Sequence, residues 1–316
     1  MAKIGYFLSC EEFDAPELVR QAKLAEEHGF DALWISDHFH PWLGEQGNSP
    51  FVWSVIGAVS QATSLPISTA VTCPTTRIHP AIVAQAAATS AVLTGGKFSL
   101  GVGTGEALNE HVLGDPWPSA NVRLEMLEEA VEVLRALWTG DVVEHHGTYY
   151  DVEHARLYSL PEAPPKIFVS GFGPKSAALA GRIGDGFACT KPDPDLIAAF
   201  REAGGAGKPM QVGTKVCYGP DEDSARRTAH RIWRNEALPG ELAQVLPTPE
   251  HFQQASSLVE PDAMVTPVGP EAKTHVQALR KFLDAGYDEL YVQQIGPRQR
   301  EFFDVLARDI LPRFET

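Results

Sequence analysis

The sequence predicts an α/β fold, a closed (β/α)8 TIM barrel with insertions at its C-terminal face. Three observations predict it. Short runs rich in β-branched and aromatic residues alternate with helical patterns about eight times, the count a closed barrel needs. The 316 residues are 44% hydrophobic, enough apolar material for one large core. The two stretches that break the alternation, about 141–160 and 238–263, are loop-sized, so residues 1–316 read as a single domain. An open doubly wound sheet is the alternative architecture.

The first strand is KIGYFL from Lys3, and the helix after it starts at Asp14-Ala15-Pro16 and stops at Gly29. A capping Asp, a first-turn Pro and a terminal Gly are the expected boundary signals. ALWIS from Ala32 precedes a helix over about 52–63, and ISTAVT from Ile67 precedes one from Pro80 to about Leu93. KFSLGVG from Lys97 precedes a long helix over about 120–138. After the first interruption, KIFVSG from Lys166 leads into Pro174, GFACT from Gly186 into Asp193, and QVGTKVCY from Gln211 into Asp221. ELYVQQI from Glu289 is the last strand, flanked by helices from Pro270 and Pro297. Within the insertions, 142–158 reads as a hairpin turning at His146-Gly147, and 238–263, with four prolines, reads as irregular.

The net charge of −15, from 26 basic and 41 acidic residues with no basic run, makes nucleic acid or an anionic membrane surface a poor partner. Cys10, Cys73, Cys189 and Cys217 are far apart and form no C-x-x-C pair, which argues against a disulfide framework and a structural zinc site. No signal peptide or bilayer-length apolar run is visible, and the cytoplasm is the default location.

Barrel chemistry sits at the carboxyl ends of the strands. After the second strand stands Ser36-Asp37-His38-Phe39-His40-Pro41-Trp42, where Asp37 and His38 fit a general base with its carboxylate and Trp42 fits an aromatic wall. A capped loop with a surface histidine fits equally well. After the third, Ala70, Val71 and Cys73 are small enough to let a planar ligand approach, or they simply pack a strand end. After the fourth, Gly101-Val-Gly103-Thr-Gly105-Glu106 lacks dinucleotide spacing, and its acid would repel a pyrophosphate. Glu106 then reads as an acid/base group with a raised pKa, or as the cap of a glycine turn. After the fifth, Ser170-Gly171-Phe172-Gly173-Pro174-Lys175-Ser176 reads as an anion site at a helix start or as an ordinary turn. Cys189 and Thr190 follow the sixth strand, and Cys189 is as readily a buried core residue.

Taken together, SDHFHPW, AVTCPTTRIHPAIVAQ, GVGTGEALNE, GRIGDGFACT and QREFFDVLARDILPR resemble the luciferase-like monooxygenase superfamily. More narrowly they resemble its branch dependent on the deazaflavin coenzyme F420, which includes dehydrogenases of glucose 6-phosphate. The resemblance covers nearly the whole chain and implies a homodimeric barrel that transfers hydride between a substrate carbinol or carbonyl carbon and F420. It implies that Asp37 contacts the deazaflavin ring, His38 takes the hydroxyl proton, Trp42 shields the intermediate and Glu106 handles the proton at the reduced ring. It further implies a non-prolyl cis peptide at Ala70-Val71 beneath the ring. Asn109, Ser170, Gly171, Gly173, Pro174, Lys175, Ser176, Cys189 and Thr190 match positions around the ribityl-phosphate arm.

Two departures stand out. Cys73 occupies a place where the family often has a hydroxyl. The Lys/Arg cluster of the sugar-phosphate enzymes has no counterpart in SSLVEPDAMVTPVGP, so the expected substrate is not a sugar 6-phosphate but a neutral or apolar alcohol or its reducible counterpart. The remaining readings are an FMN-dependent luciferase-like monooxygenase, a glucose 6-phosphate dehydrogenase proper, and a non-catalytic cofactor-binding barrel. A metal-dependent hydrolase built on His38-x-His40 would need further ligands that the other strand ends do not supply, so no metal is expected.

Overall fold

The computed structural model describes residues 2–314. Its strands are β1 (Lys3–Leu8), β2 (Leu33–Ile35), β3 (Ile67–Thr69), β4 (Phe98–Val102), β5 (Val143–His146), β6 (Asp151–Ala155), β7 (Lys166–Ser170), β8 (Gly186–Cys189), β9 (Met210–Val216) and β10 (Glu289–Gln294). Eight of them close into a parallel barrel in the order β1-β10-β9-β8-β7-β4-β3-β2, and β5 and β6 form a separate antiparallel hairpin. The barrel closes where Lys3 to Tyr6 of β1 pair with Glu289 to Val292 of β10. The TIM barrel read from the alternation is the observed fold.

The helices are α1 (Ala15–Glu27), α2 (Val52–Val59), α3 (Pro80–Leu93), α4 (Ala107–Glu110), α5 (Ala120–Leu137), α6 (Pro174–Ile183), α7 (Pro194–Phe200), α8 (Glu222–Trp233), α9 (Leu242–Val245), α10 (Pro249–Ala255), α11 (Ala272–Asp284) and α12 (Gln299–Val305). Their starts follow local chemistry. Asp14, Asp193 and Asp221 accept hydrogen bonds from the first-turn amides of α1, α7 and α8, which satisfies donors no helix can satisfy internally. Two features depart from the sequence reading. The turn after Gly105 winds into the short helix α4, and the stretch read as irregular holds α9 and α10. Thr248 caps α10 by accepting the His251 amide, with Pro249 in the first turn, a start signal hidden among the prolines around it.

The hairpin turns over Gly147 to Tyr150, as expected from His146-Gly147. Glu129 of α5 holds it by accepting from the amides of Thr148, Tyr149 and Tyr150. The Tyr150 hydroxyl then reaches the loop after β3, donating to Thr75 O at 3.1 Å.

The barrel interior is filled rather than hollow. Trp34 stacks on Tyr291 with ring centroids 4.6 Å apart and planes 6° apart, and Phe7 meets Trp34 edge-on. This aromatic layer needs glycine opposite it. A Cβ on Gly213 would stand 2.5 Å from the Trp34 ring, and one on Gly5 would stand 2.3 Å from Tyr291. Below the layer, Gln211 accepts from Trp34 Nε1 at 2.9 Å, and Glu289 accepts from Gln211 and from the Tyr291 hydroxyl. Above it, the alternation continues through Ser9, Ser36, Gly103 and Ser170, all small. The chamber at the C-terminal face is the space these small residues leave.

We expect Gly213→Ala to overpack this layer and to cost about 1–3 kcal/mol of stability. A urea unfolding midpoint that does not fall would contradict the packing described.

Candidate active site

Two loops meet at the carboxyl ends of β1 and β2. His38 sits half-buried on the second, with Nε2 3.4 Å from Glu11 Oε1 on the first. Glu11 is 3% exposed, and its other oxygen accepts from the hydroxyls of Ser9 and Ser36 at 2.8 and 2.7 Å. Burial pushes the Glu11 carboxyl up, but the adjacent imidazole and the two hydroxyls outweigh it and hold the group below the ordinary range. The other imidazole nitrogen, Nδ1, lies 3.1 Å from both His40 O and Asn109 Nδ2. Asn109 is itself buried, and its oxygen accepts the amides of Phe39 and His40 at 2.9 and 3.1 Å. The imidazole is thus oriented from both sides. Glu11 was missed in the sequence reading because LSCEEF carries neither glycine nor histidine at the strand end. The strand-end rule alone pointed to it.

Asp37 lies in a second network. Its carboxylate accepts from Thr72 Oγ1 and from the Arg77 guanidinium, both at 2.8 Å. Arg77 also faces Glu110, with Nε 3.6 Å from Oε1, and its backbone amide donates to Glu110 Oε2 at 2.8 Å. One buried cation therefore serves two buried acids. Burial dominates at Glu110 and pushes its carboxyl up to about 7 even against Arg77. Glu106, one helical turn earlier, is also raised by burial, with His38 and Asn109 pulling it back. The direction of that shift is the one expected for Glu106 from GVGTGE. Cys73 is packed under Gly105, where a Cβ would stand 2.6 Å from its sulfur, and it pairs with Thr75 Oγ1 at 2.9 Å.

The Ala70-Val71 peptide is cis, as the resemblance implied. It lies against Gly101 and Gly103, where a Cβ would meet Thr69 O at 1.9 Å and Val71 Cγ2 at 2.7 Å. Trp42 closes the site from the other side. Its ring is 5.0 Å from the His38 ring and 5.1 Å, edge-on, from Phe252 of α10. Leu43, Leu108, Leu238 and Leu246 pack around this pair, so the insertion forms an apolar roof. Behind it Glu12 accepts from the Trp233 indole, from Gln293 Nε2 at 2.7 Å and from the Gly296 amide at 2.8 Å. Burial raises Glu12 to about 7 against those three donors.

The turn between β7 and α6 is more self-contained than expected. Ser176 Oγ and Gly173 exchange hydrogen bonds in a capping box at the start of α6, and a Cβ on Gly171 would strike Ser176 Oγ at 2.8 Å. Lys175, the second residue of α6, turns outward, and its ammonium donates to Asn121 of α5 at 3.0 Å. Asn109 is likewise engaged in holding the His38 loop. Cys189 is buried against Gly171 O, whereas Thr190 is exposed. His40 Nδ1 lies 2.9 Å from Leu108 O, and no group of three or more His, Cys, Asp or Glu side chains is placed to hold a metal among the described residues.

The raised Glu110 pKa has a stability consequence. Its folded value of about 7 exceeds the ordinary 4.5, so the native state binds this proton more tightly than the unfolded chain does. Stability therefore declines as pH rises from about 4.5 to about 7, by roughly 1–3 kcal/mol from this group. Glu110→Gln should flatten that decline in urea unfolding at pH 5 and pH 8. An unchanged difference between the two pH values would rule the assignment out.

Residues 2–289 match the luciferase-like monooxygenase family. An F420-dependent glucose-6-phosphate dehydrogenase of Nocardia farcinica is 37% identical, with 99% of this chain and 98% of the relative covered. A Mycolicibacterium gilvum enzyme of the same name is also 37% identical, over 98% and 97%. Among solved structures, an F420-dependent secondary alcohol dehydrogenase in complex with an F420-acetone adduct superimposes with a TM-score of 0.92 at 33% identity, covering 100% and 99% of the two chains. The coenzyme F420-dependent tetrahydromethanopterin reductase of Methanopyrus kandleri shares the fold, with a TM-score of 0.81 at 22% identity. Sequence and fold agree, and the chain belongs to the luciferase-like monooxygenase family.

Proposed function

We propose that this chain is an F420-dependent oxidoreductase that moves hydride between a substrate carbinol or carbonyl carbon and the coenzyme, with a substrate other than a sugar 6-phosphate. The observation that carries the reading is the Glu11–His38 pair, which shares one chamber with Glu106 and the Ala70-Val71 bulge. Full-length similarity to F420-dependent enzymes supports it.

The residues fit a flat ring system. Above the Trp34–Tyr291 layer the inward positions on the β1, β2, β4 and β7 side are Ser9, Ser36, Gly103 and Ser170, and the cis bulge presents backbone rather than bulk. Ala70, Val71 and Cys73 would lie along one face of the ring. Gly171, Gly173, Pro174, Ser176, Cys189 and Thr190 would flank the phosphate arm. When bound, F420 supplies a ring carbon that accepts or returns a hydride.

The chain supplies the proton chemistry and the geometry. His38 takes the carbinol proton at an imidazole nitrogen, and Glu11 stabilises the imidazolium that forms. Asn109 and Glu11 fix the ring plane so that little reorientation is needed during reaction. Glu106 holds or releases a proton near neutral pH at the ring edge. Trp42, with Phe252 and the leucines around it, excludes water. Asp37 acts through position, because Thr72 and Arg77 occupy its carboxylate.

The substrate reading rests on charge. Residues 238–263 contain no Lys or Arg but include Glu241, Glu250, Glu260 and Asp262. Lys191, just after the sixth barrel strand, is exposed and lies 6.0 Å from the Phe172 ring. A phosphate dianion needs charge-assisted donors to offset its desolvation. The names of the full-length relatives favour the second reading, a glucose 6-phosphate dehydrogenase proper.

His38→Ala should lower kcat/KM by about 10²–10⁴-fold while leaving F420 binding intact. Glu11→Gln should lower it by about tenfold or more through loss of imidazole orientation. Both are read from the deazaflavin absorbance under steady-state turnover, and wild-type rates in either variant would refute the assigned roles. In a parallel titration, oxidised F420 should bind and FMN should not, with glucose 6-phosphate turned over poorly. Tight FMN binding without F420 binding would overturn the cofactor, and efficient glucose 6-phosphate oxidation would overturn the substrate reading.

A further inference from the structure

We infer that Gln46 is a positioning residue of this site: it fixes Trp42 against His38 by tying the loop after β2 to the end of α8. This role rests on the proposed oxidoreductase function, in which Trp42 excludes water, and Gln46 serves the reaction only through that indole.

Residues 36–51, between β2 and α2, form no strand and no helix. The backbone of Trp42 therefore has no ladder or helical turn to hold it, and its amide needs an acceptor from elsewhere. Gln46 supplies one. Its Oε1 accepts from the Trp42 amide at 2.8 Å and from the Leu43 amide at 3.3 Å. Its Nε2 donates at 3.0 Å to Ile232 O, in the last turn of α8, where carbonyls lack partners within the helix. Gln46 is 5% exposed, so water is a poor substitute for any of the three.

The amide can sit only one way. Reversed, its nitrogen would face two N–H donors and its oxygen would face a carbonyl. One planar group is thus committed at both ends, to the Trp42 turn and to α8. Asn carries the same two groups on a shorter stem.

A second bond joins the same segments. Glu45 pairs with Arg234, just past α8, at 2.9 Å. Two consecutive residues of the loop therefore grip residues 232–234. The end of α8 is itself anchored to the barrel, because the Trp233 indole donates to Glu12. Trp42 packs between the cluster of Ile232 and Trp233 on one side and that of Leu43, Leu108 and Phe252 on the other. Its ring ends 5.0 Å from the His38 ring.

His38 has holds of its own. The Ser49 hydroxyl donates to His38 O at 2.7 Å, and Glu11 and Asn109 orient the imidazole. Loss of Gln46 should release the indole and leave the base in place. The polar atoms of Gln46 are occupied by protein, so it takes no part in the proton chemistry.

The placement is tested without coenzyme or substrate. The full chain has six tryptophans. With isotope-labelled tryptophan, the Trp42 indole N–H signal in an NMR spectrum is the one missing from Trp42→Phe. Gln46→Met keeps the length of the side chain and removes all three bonds. It should shift or broaden the Trp42 signal and leave those of Trp34 and Trp138, whose indoles donate to Gln211 and to Ala84 O, where they were. An unmoved Trp42 signal overturns the inference, and so does an equal change at Trp34 and Trp138, which would mark a general loss of packing. Gln46→Asn, one methylene too short to span both contacts, gives the same readout if Gln46→Met does not fold.

Turnover tests the link to the reaction. It is measured with F420 and whichever of 2-propanol and glucose 6-phosphate the wild-type chain oxidises faster. Gln46→Met should lower kcat by about tenfold or more while F420 affinity stays within about twofold, and should cost less than about twofold when added to Trp42→Phe, because residues that act as a unit are not additive. Losses that multiply across the two variants would overturn the action through Trp42. Turnover of neither compound would count against the oxidoreductase reading, whereas the indole signal decides the placement on its own.

Discussion

Arg77 holds the charge balance on which the chamber depends. It comes from the loop after β3, yet it binds Asp37 from the loop after β2 and Glu110 from the helix after β4. Three neighbouring strand ends are therefore fixed by one guanidinium. Removing a partner from such a buried arrangement leaves an uncompensated charge, typically worth about 3–5 kcal/mol. Burial leaves Glu110 with a raised proton affinity even beside this cation. Asp37 keeps its contact with Thr72, and the His38 loop that follows it is set in place. The position of His38 is thus inherited from an ion network that does not touch it.

Much of the fold was legible in the sequence because periodicity and boundary signals agreed. The helices after Asp14, Pro80 and Pro174 begin where a capping residue or Pro at the first turn put them. The elements that escaped are short. Helix α4 has four residues and follows a glycine turn, so no periodic pattern had room to show. Helices α9 and α10 lay behind prolines that read as breakers. His38, Trp42 and Glu106 were visible because histidine and acids beside glycine mark a strand end as chemical. Glu11, Arg77, Glu110 and Glu12 were not. Their importance lies in pairing across loops that are 25 to 284 residues apart in sequence, and no local pattern encodes a partner.

Lys175 shows the converse limit. A lysine at a helix start beside glycines has the composition of an anion site, but side-chain direction along a helix decides where the charge goes. Here it goes to Asn121 on the outer layer. Asn109 matches a position around the cofactor's arm by similarity, and its side chain here holds the backbone amides of the His38 loop. In both cases the residue type was informative and the direction was not.

The stacked pair Trp34 and Tyr291 separates the two ends of the barrel. On the N-terminal side a crater of about 1060 Å³ opens among the strand starts, bounded by Lys3, Glu289 and the 160–165 loop. On the other side lies the reaction chamber, roofed by the 238–263 insertion. A layer set this deep, with Gly5 and Gly213 packed against its rings, makes the barrel two bowls set back to back, each screened from the other by two aromatic rings.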